Sequence, residues 1–306
     1  MHPSTAKRIA AAVDQIGFRR NQMARALKTG DRTSTIALVV EDLGNPFFTA
    51  VASAVETVAI AHGCRLFVAS SEESPERERD IVLDLLGRRV DGIVLVPTSA
   101  DHRWLRREVE RGTPIVCINR PAPGLQLDTV VLANDAGATR AVRKLTADGH
   151  LRVGLLGDAP TIWTMRQRQS GYKRALRLSG IPFDAALVSY QARTPEQAAA
   201  QLRVLQALPD PPTAVFCMNN RSTLGVILEL GGSGGRIAVA GFDDLEVAAL
   251  APFPLVLVSY QINDMGQRAA QLLFDRIDGG VADPVTIVLP VALREVGASF
   301  SAVAAH

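Results

Sequence analysis

Short apolar runs alternate with amphipathic segments along the chain from Thr33 onward. Runs rich in Val, Ile and Leu predict buried strands, and segments whose apolar residues recur three and four positions apart predict helices. Continuous apolar strands separated by helices are typical of a parallel sheet that is covered on both faces. The predicted strands are TSTIALVVED, CRLFVAS, DGIVLVP, TPIVCIN, TVVLAN, LRVGLLG, ALVSY, TAVFCMN, RIAVAGF and LVLVSY. The helices between them include PFFTAVASAVETVAIAHG, HRWLRREVERG, RQSGYKRALRLSG and RSTLGVILELG.

The pattern is too long for one small core, because the chain has 306 residues. It therefore predicts an α/β fold of two doubly wound parallel-sheet lobes. We assign about residues 33–133 plus 261–280 to the first lobe and about 134–260 plus 281–306 to the second. Ligands of such sheets bind beyond the carboxyl ends of the strands. The polar residues that close LVVEDLGNPFF, VCINRP, VFCMNN and AVAGFDD are thus candidates for a binding site.

Residues 1–32 form a basic arm ahead of this pattern. The arm carries seven Lys or Arg and two Asp, whereas the rest of the chain holds 26 basic and 29 acidic residues. This distribution suits contact with a phosphate backbone, although a solvated helix accounts for the charge equally well. The spacing predicts one helix over the first turns of the arm and a second, very short one over 21–27. Helices this short are marginal alone in water, so the second is expected to need a partner chain or DNA.

Composition excludes several classes of protein. No apolar run approaches the roughly 18 to 20 residues of a membrane span, so no membrane partner is expected. The start MHPSTAKRIAAAV lacks the features of a secretory signal, which predicts a cytoplasmic protein. The three cysteines lie in apolar surroundings and are expected to be buried free thiols.

A catalytic role finds no support in the motifs. The segment Gly231–Gly235 formally matches the GxSxG pattern, but that pattern needs a strand before it and a helix after it, and here the order is reversed. We interpret the segment as a helix-to-strand turn. No phosphate-binding loop follows the glycines, and the five histidines are scattered without ligand spacing. We therefore expect no catalytic residue, no metal and no cofactor.

The stretch Asn45-Pro46-Phe47-Phe48 after the first strand resembles the NPFF signature of the LacI/GalR family of bacterial transcription regulators. The resemblance continues over the whole chain, and the order and spacing of its motifs are specific even though each motif alone is weak. The further motifs are VDGIVLVP, Arg120-Pro121, Asn134-Asp135 with Gly137, Gly149-His150, Arg168 with Gly171-Tyr172, AVFCMNN and Gly241-Phe242-Asp243-Asp244.

This resemblance implies two lobes like those of type I periplasmic binding proteins, preceded by a DNA-binding headpiece and a hinge helix. It implies a homodimer, with AVASAVETVAIAHG and CRLFVAS at the interface, and an effector that alters dimer geometry and operator affinity as inducer or corepressor. The stretch MHPSTAKRIAAAV resembles only the third helix of the family's headpiece. Residues 1–32 are thus interpreted as a remnant of the headpiece plus the hinge, and operator binding by this chain alone is expected to be weak.

The hinge resemblance in GFRRNQMARAL assigns the expected DNA contacts, although Arg20 replaces the family's proline. Leu27 is the candidate wedge between base steps, and its alternative role is to pack against the partner hinge or a sensor lobe. Arg25, Lys28 and Arg32 are expected to contact phosphates. The remaining expected hinge positions are Asn21 and Ala24.

For the effector site the resemblance implies Arg168, Asn219 and Asp243, together with a first-lobe set of Asn45 and Phe47 or Phe48. Arg donates, Asp accepts and Asn does both, so these groups suit sugar hydroxyls or a nucleobase edge. Asn45 alternatively caps the helix that Pro46 opens, and one phenylalanine is expected in the core.

Trp163 and Arg193 are expected to flank the cleft from the second lobe, or else to lie on the surface. With Arg193 beside Arg168, an anionic or phosphorylated effector becomes plausible. Asn119 and Asn220 stand where the family usually has Asp, which weakens the inference of an ordinary sugar ligand. The other functions considered are a solute-binding protein for a transporter, an effector-binding protein without DNA binding of its own, and, less favoured, an enzyme.

Overall fold

The computed structural model describes residues 32–233 and 237–297. The strands of this part are β1 Thr35–Val40, β2 Arg65–Ser70, β3 Gly92–Leu95, β4 Ile115–Ile118, β5 Asp128–Leu132, β6 Val153–Leu156, β7 Val188–Ser189, β8 Ala214–Cys217, β9 Ala238–Phe242, β10 Leu255–Ser259, β11 Thr286–Leu289 and β12 Ala292–Val296. The α-helices are α1 Pro46–Ala61, α2 Pro75–Gly87, α3 Arg106–Glu110, α4 Asn134–Ala147, α5 Trp163–Leu178, α6 Pro195–Gln206, α7 Asn220–Ser233 and α8 Ile262–Ile277. Short 3-10 turns cover Arg103–Leu105, Ala185–Leu187 and Glu246–Leu250.

Two six-stranded sheets form two lobes. The first has the order β11-β5-β4-β3-β1-β2, and its strands all run parallel. The second has the order β12-β10-β9-β8-β6-β7, in which only the outer strand β12 runs antiparallel to its neighbour. The predicted pair of doubly wound α/β lobes is therefore confirmed.

The chain passes between the lobes after β5, after β10 and between β11 and β12. The third passage corrects the expected boundary, which gave 281–306 to the second lobe. Thr286–Leu289 instead pairs with β5 in the first sheet, and only Ala292–Val296 joins the second. Two short strands separated by two residues carry no local signal of the sheet that each one extends.

Strand β1 shows why the central strands have continuous apolar sequences. Ile36, Leu38 and Val40 pack in the cluster that contains residues of α1 and α8, whereas Ala37 and Val39 pack in the cluster that contains residues of α2. All five are fully buried. Since both faces are covered, no position of the strand selects for a polar side chain.

The helix pairs that hold the binding elements in place meet through glycines. Gly266 of α8 lies against α1, where an added Cβ would come within 2.8 Å of the Val51 carbonyl oxygen. At Gly171 of α5 an added Cβ would come still closer to the Asp135 carbonyl oxygen of α4. Both contacts need a residue without a side chain, so they fix how α1 and α5 are oriented toward the space between the lobes.

Several local predictions were wrong. The predicted helix HRWLRREVERG is a 3-10 turn followed by the five residues of α3, and the predicted strand ALVSY shortens to Val188–Ser189. Strands β11 and β12 were not predicted. Helix α7 continues through Ser233, so Gly231 to Ser233 are helical rather than a turn. The hinge predictions at Asn21, Ala24, Arg25, Leu27 and Lys28 lie outside the described residues.

Candidate functional site

Polar side chains from both lobes converge in a cleft beyond the carboxyl ends of the strands. They surround a cavity of about 50 Å³. The lining residues are Glu41, Asn45, Phe47, Phe48, Asn119, Asp158, Ile162, Thr164, Met165, Arg168, Asn219, Asn220 and Asp243. Of the seven effector-site residues predicted from the sequence, this cavity brings together all except Arg193.

Arg168 is held in the second-lobe wall by contacts on every side of its guanidinium. Its Nε donates to Asn134 Oδ1 at 2.8 Å, and its Nη1 donates to the Met218 carbonyl oxygen at 2.6 Å. Its Nη2 lies 3.6 Å from Asp243 Oδ1, and the Phe242 ring lies beneath it with the centroid 3.7 Å from Cζ. The cation is therefore buried, paired and fixed before any ligand arrives.

Asp243 follows β9 with a φ of 76°, a left-handed conformation that Asp tolerates better than most residues. Tyr260 donates its hydroxyl to Asp243 Oδ1 at 2.6 Å, and the Asn220 backbone N–H donates to Oδ2 at 3.2 Å. Burial, followed by the charge of Asp243, raises the pKa of Tyr260 well above its ordinary value. Tyr260 is thus a neutral donor that holds a charged acceptor in the cleft.

Asn219 caps helix α7. Its Oδ1 accepts from the Ser222 backbone N–H and the Ser222 hydroxyl, each at 2.8 Å, and the Thr223 hydroxyl donates to its carbonyl oxygen at 2.9 Å. None of these contacts uses the amide nitrogen Nδ2. The residue therefore combines a structural cap with a donor group in the wall of the cavity.

Asn45 has the same double role at the start of α1. Its Oδ1 accepts from the Phe47 backbone N–H at 3.1 Å, and Pro46 occupies the first helical position, as the capping alternative predicted. Asn220 of the opposite lobe donates from Nδ2 to the same Oδ1 at 2.6 Å. Beside this pair, Arg221 forms an ion pair with Asp42. These two contacts join the lobes across the cleft.

The two phenylalanines have different environments. Phe48 is buried and packs in the main core cluster, so only its edge reaches the cavity wall. Phe47 is half-buried and makes edge-to-face contacts with Phe48 and Tyr260, with centroids 4.9 Å and 6.3 Å apart. Phe47 is the better candidate for contact with the apolar face of a ligand.

Arg193 does not line the cavity, which corrects the expected placement beside Arg168. Its side chain is 58% exposed, and its Nε lies 3.8 Å from Asp158 Oδ2. A capping box between Thr194 and Gln197 begins α6 directly after Arg193. The backbone of Arg193 therefore lies just before the start of that helix, on the surface. Trp163 lines a neighbouring cavity between the lobes.

Glu41, Asn119 and Asp158 also line the cavity. Each lies within the first two residues after a strand, at the end of β1, β4 and β6 respectively. Glu41 and Asn119 belong to segments that the sequence singled out by their place after a strand, whereas Asp158 was missed although the same rule applies to it. Glu41, Asp158 and Asp243 give the cavity three carboxylates, which lie near the cations of Arg120, Arg193 and Arg168 respectively.

No cluster of three His, Cys, Asp or Glu side chains suited to a metal occurs in residues 32–233 and 237–297. The three cysteines are free and buried, as predicted. Burial raises the pKa of the Cys117 thiol to about 12, which makes it unreactive at neutral pH. No helix in the same ranges has the length and apolar character to cross a membrane.

The family model for periplasmic binding proteins and the sugar-binding domain of the LacI family matches residues 33–295. The chain belongs to this family. The HTH-type transcriptional regulator CelR of Thermobifida fusca is 32% identical over 308 residues, covering 96% of this chain and 90% of the relative. The repressor CytR of Escherichia coli K12 is 27% identical, covering 90% and 82%. A solved complex of a CelR regulator with cellobiose matches with a TM-score of 0.76 and 29% identity, covering 96% and 90%.

Proposed function

We propose that this chain is a ligand-responsive repressor of transcription whose effector is a small, hydroxyl-rich molecule bound between the lobes. The observation that carries the proposal is the fixed array of Arg168, Asp243 and Asn219 on one wall, facing Asn45 and Phe47 on the other. Such an array presents donors and acceptors to hydroxyls and an aromatic ring to an apolar face. Relatives named as transcription regulators, one of them solved with cellobiose, support the same assignment.

The carboxylates of the lining suit a hydroxyl-rich effector. Each of the three lies near a cation: Asp243 near Arg168, Glu41 near Arg120 and Asp158 near Arg193. A sugar uses such carboxylates as strong hydrogen-bond acceptors.

The small cavity implies that the lobes move when the effector binds. A volume of about 50 Å³ is about a third of the roughly 150 Å³ of a cavity that holds one benzene ring. Entry of a sugar ring therefore requires the Asn45–Asn220 and Asp42–Arg221 contacts to separate. Binding then selects the lobe arrangement that best fits the ligand, which is the two-state element that the effector biases.

The first lobe receives the connection from the basic arm. Arg32 donates from Nη1 to Asp278 Oδ1 at 2.7 Å, and the Thr33 backbone N–H donates to Asp91 Oδ1 at 2.7 Å. We propose that rotation of the lobes is passed to residues 1–31 through these contacts. In that arm, operator contacts are proposed for Asn21, Ala24, Arg25, Leu27 and Lys28.

A homodimer is part of the proposal. Ile60 of α1 is 57% exposed and Phe67 of the edge strand β2 is 55% exposed. Both belong to the segments assigned to the interface from the sequence. Apolar side chains on an edge strand and its flanking helix are suited to burial against a second copy.

Calorimetric titration of the chain with neutral sugars tests effector binding. Asp243→Asn removes the charged acceptor, and we expect affinity for the bound sugar to fall by about tenfold or more. Asp148→Asn, at the exposed end of α4 away from the cleft, is the matched control and should bind like the wild type. Equal affinity of Asp243→Asn and the wild type would contradict the site.

DNA binding is tested by selecting sequences from a library of random duplexes and repeating the measurement with saturating sugar. Because operator binding by this chain alone is expected to be weak, we expect weak enrichment at low salt, and an affinity for the enriched sequences that changes when the sugar is present. Sugar binding without any enriched DNA sequence would remove the repressor role and leave a solute-binding or effector-binding protein.

A further inference from the structure

One face of the second lobe carries a concentration of positive charge. Helices α4 and α5 lie side by side there, where Thr139 Oγ1 donates to the Gly171 carbonyl oxygen at 3.2 Å and the hydroxyls of Thr146 and Ser179 lie 2.8 Å apart. The outer side of the two helices presents cationic side chains that are exposed or half-buried. We call this set the basic face, and its members are Arg140, Arg143, Lys144, Lys173, Arg174 and Arg177.

Most of the charge on the basic face is not neutralised by the chain itself. Asp135 pairs with Arg174, and Asp148 and Glu295 both contact Lys144. The other four cations of the face have no acidic partner in the described part of the chain. Beyond the basic arm the chain holds 26 basic and 29 acidic residues, so this face departs locally from the charge of the lobes. It is therefore suited to an acidic partner.

An apolar cavity opens beside the basic face. Its volume is about 450 Å³, against about 50 Å³ for the cavity between the lobes. Leu151 before β6, Leu176 of α5 and Phe183 of the loop after α5 are part of its wall. Leu151 is 67% exposed and Phe183 is 45% exposed. Large apolar side chains left in water around a concave surface are suited to burial against a partner.

Lys173 joins the basic face to this cavity. Its Nζ lies 4.6 Å from the centroid of the Phe183 ring, which lines the cavity. Arg177 lies one turn later on the same side of α5, and the neighbouring Leu178 is exposed. Two unpaired cations thus stand at the rim of an apolar hollow.

The charged groups within the wall of the cavity are already paired with one another. Arg152 Nε lies 3.0 Å from Asp210 Oδ2, and Arg152 Nη2 lies 3.5 Å from Asp184 Oδ2. The interior therefore offers apolar contact, and the free positive charge lies only at the rim.

We propose that the basic face and this cavity together bind an acidic segment of another protein, with one apolar side chain of that segment seated in the cavity. The carboxylates of the segment would meet the four unpaired cations, and its apolar side chain would be buried against Leu151 and Phe183. Nucleic acid is less suited, because Lys173 covers the ring face of Phe183 on which a base would stack. The cavity lies at the amino end of β6, whereas the effector cleft lies beyond the carboxyl ends of the strands.

The test is fluorescence anisotropy of the full chain with a labelled peptide in which Asp and Glu flank a central Phe-Leu pair. The 16 residues of α5 extend over about 24 Å, so an extended peptide of about eight residues spans the face. We expect binding that weakens as the salt concentration rises. The double variant Lys173→Glu with Arg177→Glu should lower the affinity about tenfold or more.

A matched double variant controls for the basic arm and for net charge. Arg106→Glu with Arg107→Glu reverses two exposed cations on α3 of the first lobe, so it changes the net charge by the same amount. This variant should bind the peptide like the wild type. Equal losses in the two double variants would mean that the peptide responds only to the overall charge, and they would overturn the docking site.

Leu151→Ser tests the apolar part of the site. Because Leu151 is mostly exposed, the unfolding temperature should not change, whereas the affinity for the peptide should fall about fivefold. Leu83→Ser, at an exposed leucine of α2 in the first lobe, is the control and should leave both properties unchanged.

The remaining outcomes each contradict the inference. Absence of peptide binding at low salt would remove the docking site. Equal binding of a second peptide, in which Ser-Ser replaces Phe-Leu, would show that the cavity takes no apolar side chain. Tighter binding of a single-stranded oligonucleotide of the same charge, lost in Lys173→Glu with Arg177→Glu, would make the face a nucleic-acid surface instead.

Discussion

The two walls of the cleft differ in how completely their buried polar groups are paired. On the second-lobe wall, Arg168, Asp243 and Asn219 are all bonded within the lobe. On the first-lobe wall, Arg120 and Thr98 keep buried atoms without a partner among the described residues. The first arrangement is a rigid template in which each of these residues is bonded, whereas the second leaves buried polar atoms unpaired at a cost in stability.

The largest effect is expected from breaking the second-lobe template. Arg168→Met removes the buried cation and leaves Asp243, Asn134 and the Met218 carbonyl oxygen without their donor. We expect the free energy of unfolding to fall by about 3 kcal/mol, because a buried charge loses its partner. Urea denaturation followed by circular dichroism measures the change.

Arg166→Ala, two residues earlier in α5 and exposed, is the control for Arg168→Met. Its free energy of unfolding should stay within about 0.5 kcal/mol of the wild type. If the two variants were equally stable, Arg168 would not be the residue that organises this wall.

Two threonines, one on each wall, allow the contribution of a single hydroxyl to stability to be compared. Thr223 donates to the Asn219 carbonyl oxygen at 2.9 Å, whereas Thr98 Oγ1 has no partner in the described protein. Thr223→Val should lower the free energy of unfolding by about 1 kcal/mol, and Thr98→Val should leave it unchanged or raise it. Thermal and urea denaturation of both variants measures the two changes in the free energy of unfolding. Equal losses would mean that the Thr98 hydroxyl does have a hydrogen-bond partner.

A small change in stability is expected where the walls meet. The Asp42–Arg221 pair is partly exposed, so Arg221→Ala should cost at most about 1 kcal/mol. Its effect should appear in shape, because the variant loses an ion pair between the lobes. Small-angle X-ray scattering of the ligand-free protein should give a larger radius of gyration for this variant.

Arg203→Ala is the matched control for the scattering experiment. Arg203 and Glu229 form an ion pair between α6 and α7 of the second lobe, so its loss leaves the cleft untouched. An unchanged radius of gyration in Arg221→Ala would mean that the Asp42–Arg221 ion pair does not hold the lobes in this arrangement.

Much of the site was predictable because the carboxyl end of each strand can be located from the end of its apolar run. Asp243 follows β9 directly, Asn219 lies two residues after β8, and Arg168 came from the family resemblance. Asp158 lies two residues after β6 and was missed because no motif drew attention to it. Arg193 was placed wrongly, since its loop carries no periodic signal of which way the chain turns.

The sequence by itself determined the strands, the helices and the family, because each apolar run or motif is local and repeats the same physical pattern. Only the tertiary structure decided which strand extends which sheet, as for Thr286–Leu289, and which polar groups meet. Asn45 and Asn220 contact each other across 175 positions, and Arg120 is left with free buried donors. Contacts of this kind depend on the packing of two whole lobes, which no local window of residues contains.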